Sequence, residues 1–474
     1  MIFNSFPFLF FIAIFFAFFF SLKNNRHKII LCLFGSYLFY GWWDWRFLSL
    51  IFFSTVVDYL LSKKIHSSES DKFRKLWLIL SLSTNLGLLF VFKYLNFFID
   101  SFSKISLALG LGSNIDSLNI ILPVGISFYT FQTLSYTIDV YKKELRPESN
   151  FITFATYVSF FPQLVAGPIV RASTLLPQFQ KIPPIDINRI SSGLLLVCIG
   201  YFRKVVIADT IAPLVDQGFQ NPELFSSIHI VIIVFLYAFQ IYCDFAGYSD
   251  IAIGIARILG FDFPNNFNFP YFSKNFSEFW TRWHISLSSW LRDYLYIPLG
   301  GSRNGKLNTM KNLMITMLLG GFWHGANWTF VIWGFLHGGY LILQRIQLPL
   351  VRRIIMKDFI VFDMAKIIFT FILTCFAWIF FRSQSLDQAI IIVQKVLDLD
   401  LLNIGSIKFK FDVFKGVFFV TLLIVCEMLY CNFKNQLKDI LRSHYIKFAL
   451  SSLIIWTVIL FGSFGVNQFI YFQF

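Results

Sequence analysis

Apolar segments long enough to cross a lipid bilayer recur along the whole chain. A helix needs about 20 mostly apolar residues to cross the hydrocarbon core of a membrane. Of the 474 residues, 57% are hydrophobic and only 14% are charged, whereas about 25% of the residues in a soluble domain are charged. A transmembrane β-barrel would show short alternating segments instead. The sequence therefore predicts an all-α fold, a polytopic transmembrane helical bundle.

Hydrophobicity predicts about ten full membrane passes, at residues 6–22, 29–43, 47–61, 76–97, 118–140, 191–208, 228–246, 365–382, 413–431 and 449–465. Lysine and arginine cluster between these passes, as the positive-inside rule requires. We therefore attribute the net charge of +14 to membrane topology and not to nucleic-acid binding. The first pass lacks a cleavage site and is expected to be retained. The basic segment after it is expected to be cytoplasmic, which predicts extracytoplasmic N- and C-termini in a plasma (inner) membrane protein.

Two regions, 151–170 and 249–345, do not fit simple passes because Gly, Pro and polar residues interrupt them. Broken helices at membrane depth occur only where protein or a water-filled cavity covers the backbone. These regions are therefore predicted to form broken or re-entrant helices around a central tunnel. We expect one integral membrane domain, divided into N-terminal helices (1–117), a core (118–345) and C-terminal helices (346–474).

The sequence predicts neither a soluble domain nor a metal site. No polar stretch is long enough to fold alone, so any soluble substrate-handling domain is expected to come from a partner. The six cysteines are scattered without a CxxC pair, and the spacing of the seven histidines suits no metal site. The HExxH, GxSxG and P-loop motifs are absent as well.

His324 lies in the segment GGFWHGANW, residues 320–328, in one of the most apolar parts of the chain. It is about halfway between two basic loops that are both expected to be cytoplasmic. Residues 312–322 give roughly 16 Å of helix at 1.5 Å per residue, which predicts a position near mid-membrane. An ionisable residue at that depth is a functional-site hypothesis by default. The alternative is a neutral histidine that is hydrogen-bonded between helices.

The residues around His324 favour the functional interpretation. Gly320, Gly321 and Gly325 permit a break in the helix and the close approach of a ligand. Asn327 adds a hydrogen-bond donor and acceptor. A histidine without a serine or cysteine nucleophile suits general-base catalysis, in which an acceptor hydroxyl loses its proton as its oxygen attacks a thioester. His337 is expected instead to be a hydrogen-bonding residue of the core.

The segment FWTRWHISLSSWLRDYLYIPLGG, residues 279–301, is predicted to be one amphipathic helix at the cytoplasmic surface or dipping inwards. One face of this helix is an aromatic seam, formed by Trp283, Leu287, Trp290 and Tyr294. Another face is polar and is formed by Arg282, Ser286, Ser289 and Asp293. His284 lies on the other side of the seam. Arg282 and Arg292 are interpreted either as lipid-phosphate contacts or as contacts to an anionic acyl carrier or cofactor.

Asp244 and Asp250 lie in an apolar setting, in the segment IYCDFAGYSD. One interpretation is a polar network that ties helices together. The other is a path for protons or substrate, which would suit a transporter or flippase, the alternative class of function. A third hypothesis, an intramembrane protease that acts through Ser249 of GYSD, rests on a weaker motif.

Several blocks occur together in an order that resembles a known family. They are WHISLSSWLRDYLYIPLGG (283–301), GGFWHGANWTFVIWGFLHG (320–338), LPVGISFYTFQTLSYTIDVY (122–141), FFPQLVAGPIVR (160–171), GYFRKVVIAD (200–209), IYCDFAGYSDIAIG (241–254), FPNNFNFPY (263–271) and the terminal NQFIYFQF. Together they resemble the membrane-bound O-acyltransferases, most closely the branch of alginate O-acetyltransferases. The D-alanyl transferases of teichoic acid are similar as well. The resemblance is dense from about residue 120 to 345.

The resemblance implies a helical bundle around a tunnel, in which acyl groups from the cytoplasmic side reach an acceptor on the outer side. The family's catalytic histidine corresponds to His324, and a second, supporting position corresponds to His284. Residues expected to bind donor or substrate, or to shape the cytoplasmic mouth, are Arg282, Trp283, Arg292, Asp293, Asn327 and Asp244. The implied donor is acetyl-CoA or another acyl thioester, with an acyl carrier as one option and no bound cofactor. The implied partners are membrane lipids, a polysaccharide acceptor and an extracytoplasmic, esterase-like (SGNH-type) protein that handles acetyl groups.

Overall fold

The structure is a computed structural model that describes residues 1–112, 116–165, 167–184, 186–354, 360–398, 411–464 and 469–470. The described residues form helices joined by turns and loops, with no strand among them. They divide into two compact units. Unit 1 comprises Met1–Gly193 and Ile255–Pro264, and unit 2 comprises Leu194–Gly254 and Asn265–Phe474. The all-α prediction is confirmed, while the predicted three-part division and the tunnel stay predictions.

The first nine helices lie in unit 1. They are α1 (Phe6–Ser21), α2 (Asn25–Gly41), α3 (Leu48–Ser67), α4 (Asp71–Leu89), α5 (Leu95–Ala108), α6 (Ile126–Tyr141), α7 (Phe151–Ser159), α8 (Phe161–Leu164) and α9 (Ala172–Gln180). A 3₁₀ turn, Trp45–Phe47, leads into α3, and a π-helical segment, Phe90–Tyr94, joins α4 to α5.

Buried polar side chains link α3 to α4 in unit 1. Asp58 of α3 accepts hydrogen bonds from Ser81 Oγ at 2.6 Å and from Asn85 Nδ2 at 2.9 and 3.0 Å. Asn85 Oδ1 in turn accepts from Ser54 Oγ at 2.7 Å. Burying a polar group without a partner costs several kcal/mol, so these bonds favour one register of α3 against α4.

Twelve further helices follow in the described chain. They are α10 (Ile187–Tyr201), α11 (Asp209–Gln220), α12 (Ser227–Ile258), α13 (Phe276–Arg282), α14 (Ile285–Leu291), α15 (Gly305–His324), α16 (Trp328–Ile354), α17 (Ile360–Arg382), α18 (Leu386–Asp398), α19 (Phe411–Asn432), α20 (Lys434–Ile440) and α21 (His444–Phe461). A π-helical segment, Phe202–Ala208, joins α10 to α11, and another, Arg292–Tyr296, follows α14. Short 3₁₀ turns lie at Pro222–Leu224 and Pro270–Phe272.

Seven helices of the described chain are long and apolar enough to cross a membrane. They are Trp45–Ser67, Asp71–Ala108, Ile187–Gln220, Ser227–Ile258, Val361–Arg382, Phe414–Asn432 and His444–Phe461. Each of them coincides with one predicted pass, so a multi-pass membrane protein is confirmed. The other three predicted passes fall on α1, α2 and α6, which have 16, 17 and 16 residues. The total of ten passes stays a prediction.

Two sequence-based boundaries were wrong. The predicted pass 118–140 begins too early, because the helix starts only at Ile126, after Pro123 and a glycine with φ of 76° (Gly125). Proline disfavours a helical conformation in the residue before it, and a left-handed glycine lies outside the helical region. The second interrupted region was predicted to start at 249, yet α12 continues to Ile258 and stops at Gly260, with φ of 95°.

Candidate active site

Helices α15 and α16 approach each other closely through their glycines. A Cβ atom on Gly321 of α15 would lie 2.3 Å from the carbonyl oxygen of Phe330. A Cβ atom on Gly334 of α16 would lie 2.4 Å from the carbonyl oxygen of Met317. Both distances are shorter than any normal contact, so only glycine permits this packing. Gly321 therefore makes room for the backbone of α16, and the approach of a ligand near Gly320, Gly321 and Gly325 stays a prediction.

His324 is the last residue of α15, and the chain leaves the helix at Gly325 in an extended conformation. The helix does not break at Gly320 or Gly321. The His324 ring is 4% exposed, and its centroid lies 5.0 Å from that of Trp323, 5.1 Å from that of Trp333 and 5.2 Å from that of Phe381. These three rings form an apolar box that keeps bulk water away from the imidazole.

His284 lies between two short helices. The predicted single helix over 279–301 was wrong, because α13 ends at Arg282 and α14 begins at Ile285. His284 itself has φ of 41° and ψ of 56°, in the left-handed region that few non-glycine residues enter. The loop before α13 causes the break, since Asn268 N–H donates to Arg282 O and Ile285 N–H donates to Asn266 O, each at 2.9 Å.

The His284 side chain is fully buried in unit 2. Its Nδ1 atom lies 3.1 Å from Asn266 Oδ1, and its ring packs edge-on to Phe245 with centroids 4.6 Å apart. The segment is outside the seven membrane-crossing helices. Burial lowers the pKa of the His284 imidazole to about 3, because the charged form loses its hydration. The imidazole is therefore neutral near neutral pH.

Trp323 brings the two predicted histidines together. Its ring centroid lies 5.0 Å from that of His324 and 6.3 Å from that of His284. Two histidines from separate sequence blocks thus flank one indole. A neutral imidazole in a water-poor setting is suited to accept or transfer a proton during acyl transfer.

A comparison with protein families decides the class of this protein. The family model of the membrane-bound O-acyltransferases matches residues 29–384, a range that contains both histidines. The chain belongs to this family. It is therefore an acyltransferase and a multi-pass membrane enzyme, as the sequence blocks predicted.

Individual relatives agree with this assignment. The acyltransferase is 42% identical over 395 residues to the "Probable alginate O-acetylase AlgI" of Pseudomonas putida, covering 82% of this chain and 79% of that protein. It is 39% identical over 407 residues to the peptidoglycan O-acetyltransferase of Helicobacter pylori, covering 80% of this chain and 75% of that protein. A teichoic acid D-alanyltransferase of Streptococcus thermophilus is 31% identical over 235 residues, which is 47% of this chain and 56% of that protein.

Two predicted binding residues of the acyltransferase have structural contacts. Trp283 is 1% exposed, and its ring centroid lies 5.0 Å from that of Trp378. Asn327 caps α16, because its Oδ1 accepts from Thr329 N–H at 3.0 Å while its Nδ2 donates to the carbonyl of Gln384 at 2.8 Å. A role of either residue in donor binding stays a prediction.

The predicted charged residues of the acyltransferase's cytoplasmic mouth are paired locally. Arg282 Nη2 lies 2.6 Å from the carboxylate of Glu278, one helical turn earlier. Arg292 Nε lies 2.7 Å from that of Asp293, and the Arg292 side chain is 63% exposed. Among the described contacts, none joins these arginines to the group around Trp323. Their contact with a donor or with lipid phosphate stays a prediction.

Asp244 takes part in buried ion pairing that sequence reasoning did not identify. Lys204, in the π-helical segment after α10, places its Nζ atom 2.7 Å from Asp244 Oδ1 and 2.8 Å from Asp209 Oδ1. The other carboxylate oxygen of Asp244 accepts from the backbone N–H of Ile470 at 2.7 Å. Asp244 therefore ties two helices and the C-terminal segment of unit 2 together.

Asp250 has a similar environment one turn and a half further along α12. Arg203 Nη1 lies 2.5 Å from Asp250, and Arg203 Nη2 lies 3.0 Å from Glu427 of α19. Tyr242 Oη donates to Glu427 at 2.7 Å. The ion pairs of Asp244 and Asp250 favour the interpretation as a polar network between helices. They also account for the two carboxylates on which the transporter alternative rested.

His337 is buried in the core as predicted, while its hydrogen bonding stays a prediction. Its ring lies 4.8 Å from that of Trp333 and 5.1 Å from that of Trp280, by centroid distance. Neither of its ring nitrogens has a hydrogen-bond partner in the described part of the chain.

Ser249, the residue of the protease hypothesis, accepts a hydrogen bond from Asn266 Nδ2 at 3.1 Å.

Proposed function

We propose that this enzyme transfers acetyl groups from a cytosolic thioester, acetyl-CoA or another acyl thioester, for O-acetylation of a surface or extracellular polysaccharide. Two relatives that align with about four-fifths of the chain are named as O-acetylating enzymes, one for alginate and one for peptidoglycan. The observation that carries the proposal is the pairing of His324 and His284 around Trp323, within the region that matches the family.

His324 acts as the general base in the proposed step. It removes the proton of an acceptor hydroxyl while the hydroxyl oxygen attacks the thioester carbonyl carbon. The new C–O bond forms, the C–S bond breaks, and the leaving thiolate takes the proton back from the imidazolium. The apolar box of Trp323, Trp333 and Phe381 supports this role, because it limits competition from water.

The proposed route crosses the membrane from the cytoplasmic side to the outer side. Arg282, Arg292 and Asp293 shape the cytoplasmic mouth, where an anionic donor or an acyl carrier arrives. The described chain contains no part resembling a soluble catalytic domain. We therefore expect an extracytoplasmic, esterase-like (SGNH-type) partner that receives acetyl before the glycan does.

The test is the amount of ester-linked acetyl on surface polysaccharide. Cells that lack the protein are compared with the same cells after its gene is restored, at matched membrane levels. Restored acetylation is the expected result. Unchanged acetyl with restored ester-linked D-alanine would contradict acetyl as the group transferred, and no change in any ester would contradict polysaccharide acylation.

A further inference from the structure

Asn266 contacts His284 directly from the loop between α12 and α13. Its side chain is 1% exposed. Its Oδ1 atom accepts a hydrogen bond from the backbone N–H of Ser286 at 3.2 Å and another from the Ser286 hydroxyl at 2.9 Å. A backbone N–H only donates, so this atom of Asn266 is the amide oxygen and not the amide nitrogen.

The tautomer of His284 follows from this assignment. Its Nδ1 atom lies 3.1 Å from Asn266 Oδ1, which has no hydrogen to donate. Nδ1 therefore carries the proton, and the lone pair of the neutral ring is on Nε2. Nε2 can accept a hydrogen bond or a proton, but it cannot donate one.

The rest of Asn266 is held in place as well. Its Nδ2 atom donates to Ser249 Oγ of α12 at 3.1 Å. Its backbone carbonyl accepts from Ile285 N–H at 2.9 Å, at the junction where His284 takes its left-handed conformation. A flip of the amide would offer hydrogens to the N–H of Ser286 and lose the bond to Ser249. The orientation of the amide is therefore determined on both sides.

We propose that Asn266 is a positioning residue for acyl transfer, which holds His284 so that Nε2 accepts a hydrogen bond from a second hydroxyl of the acceptor, beside the hydroxyl that His324 deprotonates. Ser249 contributes by fixing the Asn266 amide. This inference rests on the proposed function and makes it more specific. A histidine held in this tautomer does not donate to the thioester carbonyl oxygen, so His284 acts on the acceptor and not on the donor.

The direct test is Asn266→Asp, which keeps Oδ1 and adds a negative charge beside His284. The side chains of Phe245, Trp323, Asn266 and Ser286, which lie beside His284, are all neutral. The new carboxylate favours the imidazolium, which has no lone pair on Nε2. The assay measures acetyl transfer from radiolabelled acetyl-CoA in inverted membrane vesicles. As the pH is lowered, we expect the rate of the Asn266→Asp enzyme to begin falling at a higher pH than the rate of the unaltered enzyme.

Two further variants complete the test. The neighbouring Asn265 is exposed, so Asn265→Asp is the matched control and is expected to keep the unaltered pH profile. Ser249→Ala removes only the far hydrogen bond and is expected to lower kcat roughly threefold without changing KM for acetyl-CoA. Thermal stability in detergent is measured for each variant, and only variants that fold like the unaltered enzyme are compared.

The outcomes separate this inference from the proposed function. The inference is overturned if the Asn266→Asp enzyme has the pH profile of the Asn265→Asp control. If Asn266→Asp does not fold, an unchanged kcat in Ser249→Ala overturns the inference instead. Full activity of His284→Ala overturns it too, while it leaves the role of His324 intact. Absence of acetyl transfer by the unaltered enzyme contradicts the proposed function instead.

Discussion

His284 adopts a left-handed backbone conformation that costs on the order of 1–3 kcal/mol for a residue with a side chain. Such a conformation persists only where its surroundings favour it strongly. Here the backbone of Asn266 binds the start of α14, and its side chain binds the imidazole. The result is an imidazole fixed between Phe245 and Trp323, which is the kind of preorganisation that a catalytic group requires.

Lys204 forms buried ion pairs with the carboxylates of Asp209 and Asp244. The Lys204 side chain is 1% exposed, and those of Asp209 and Asp244 are 3% and 4% exposed. Removing one partner of a buried ion pair leaves an uncompensated charge, which is more harmful than replacing all partners with neutral groups. Lys204 is therefore expected to stabilise unit 2 and not to take part in the chemistry.

We expect Lys204→Met to lower the free energy of unfolding by about 3–5 kcal/mol. The measurement is thermal unfolding of purified protein in a mild detergent. Combining Lys204→Met with Asp209→Asn and Asp244→Asn removes the isolated charges and is expected to recover most of the loss. Lys306→Met, at an exposed position, is the control. A triple variant that is no more stable than Lys204→Met would contradict this account.

Helices α15 and α16 form the element that carries His324. Gly321 and Gly334 let the two backbones touch, and α15 ends at His324, less than one turn after Gly321. Because His324 is the terminal residue of α15, a change in the spacing of the two helices moves the imidazole relative to Trp333 of α16. Helix packing and placement of the candidate base are thus linked.

Gly334→Ala tests this link. Its Cβ would lie 2.4 Å from Met317 O, so the helices must separate, and we expect a loss of about 1–3 kcal/mol in stability together with slower acyl transfer. Gly339 lies on the same helix, and a Cβ there would meet nothing within 4 Å. Gly339→Ala is therefore the matched control and is expected to be neutral or slightly stabilising. Equal effects of the two substitutions on thermal stability would refute the close-packing argument.

The sequence predicted those parts of the site that have a local signature. His324 was identified because a histidine between two basic loops of an apolar segment is unusual in itself. The break at His284 was missed, because a helical periodicity continues across 279–301 while the loop that interrupts it is distant in the sequence. Asn266 carries no local sequence signal either, because its contact with His284 joins residues that are distant in the sequence. Arg203 and Lys204 did carry a local sequence signal, because two cations within a predicted membrane pass require buried anions as partners.

The whole molecule is a multi-pass membrane enzyme, and its charge distribution predicts an orientation in the membrane. The seven membrane-crossing helices of the described chain coincide with predicted passes, and basic residues cluster between several of them. The positive-inside rule then predicts a cytoplasmic loop at 63–75 and an extracytoplasmic loop between α11 and α12. In the proposed function, this predicted orientation puts the cytosolic donor and the acceptor on opposite sides of the membrane.

Cysteine labelling tests the predicted orientation. Glu69 and Glu223 are both exposed, one in each of these loops. In a variant that lacks the six native cysteines, we expect Glu223→Cys to react with a membrane-impermeant maleimide in intact cells. Glu69→Cys is expected to react only after the membrane is permeabilised. The reverse pattern would invert the orientation and would place the proposed cytoplasmic mouth outside.

The central claim is that His324 is the base for acetyl transfer, and the most direct measurement is the rate of transfer in inverted membrane vesicles supplied with radiolabelled acetyl-CoA. His324→Ala is compared with the unaltered enzyme and with His66→Ala, an exposed histidine of a predicted loop, at equal amounts of folded protein. We predict loss of at least about a hundredfold in rate for His324→Ala and no change for His66→Ala. Transfer by His324→Ala at the rate of the His66→Ala control would remove His324 from the mechanism.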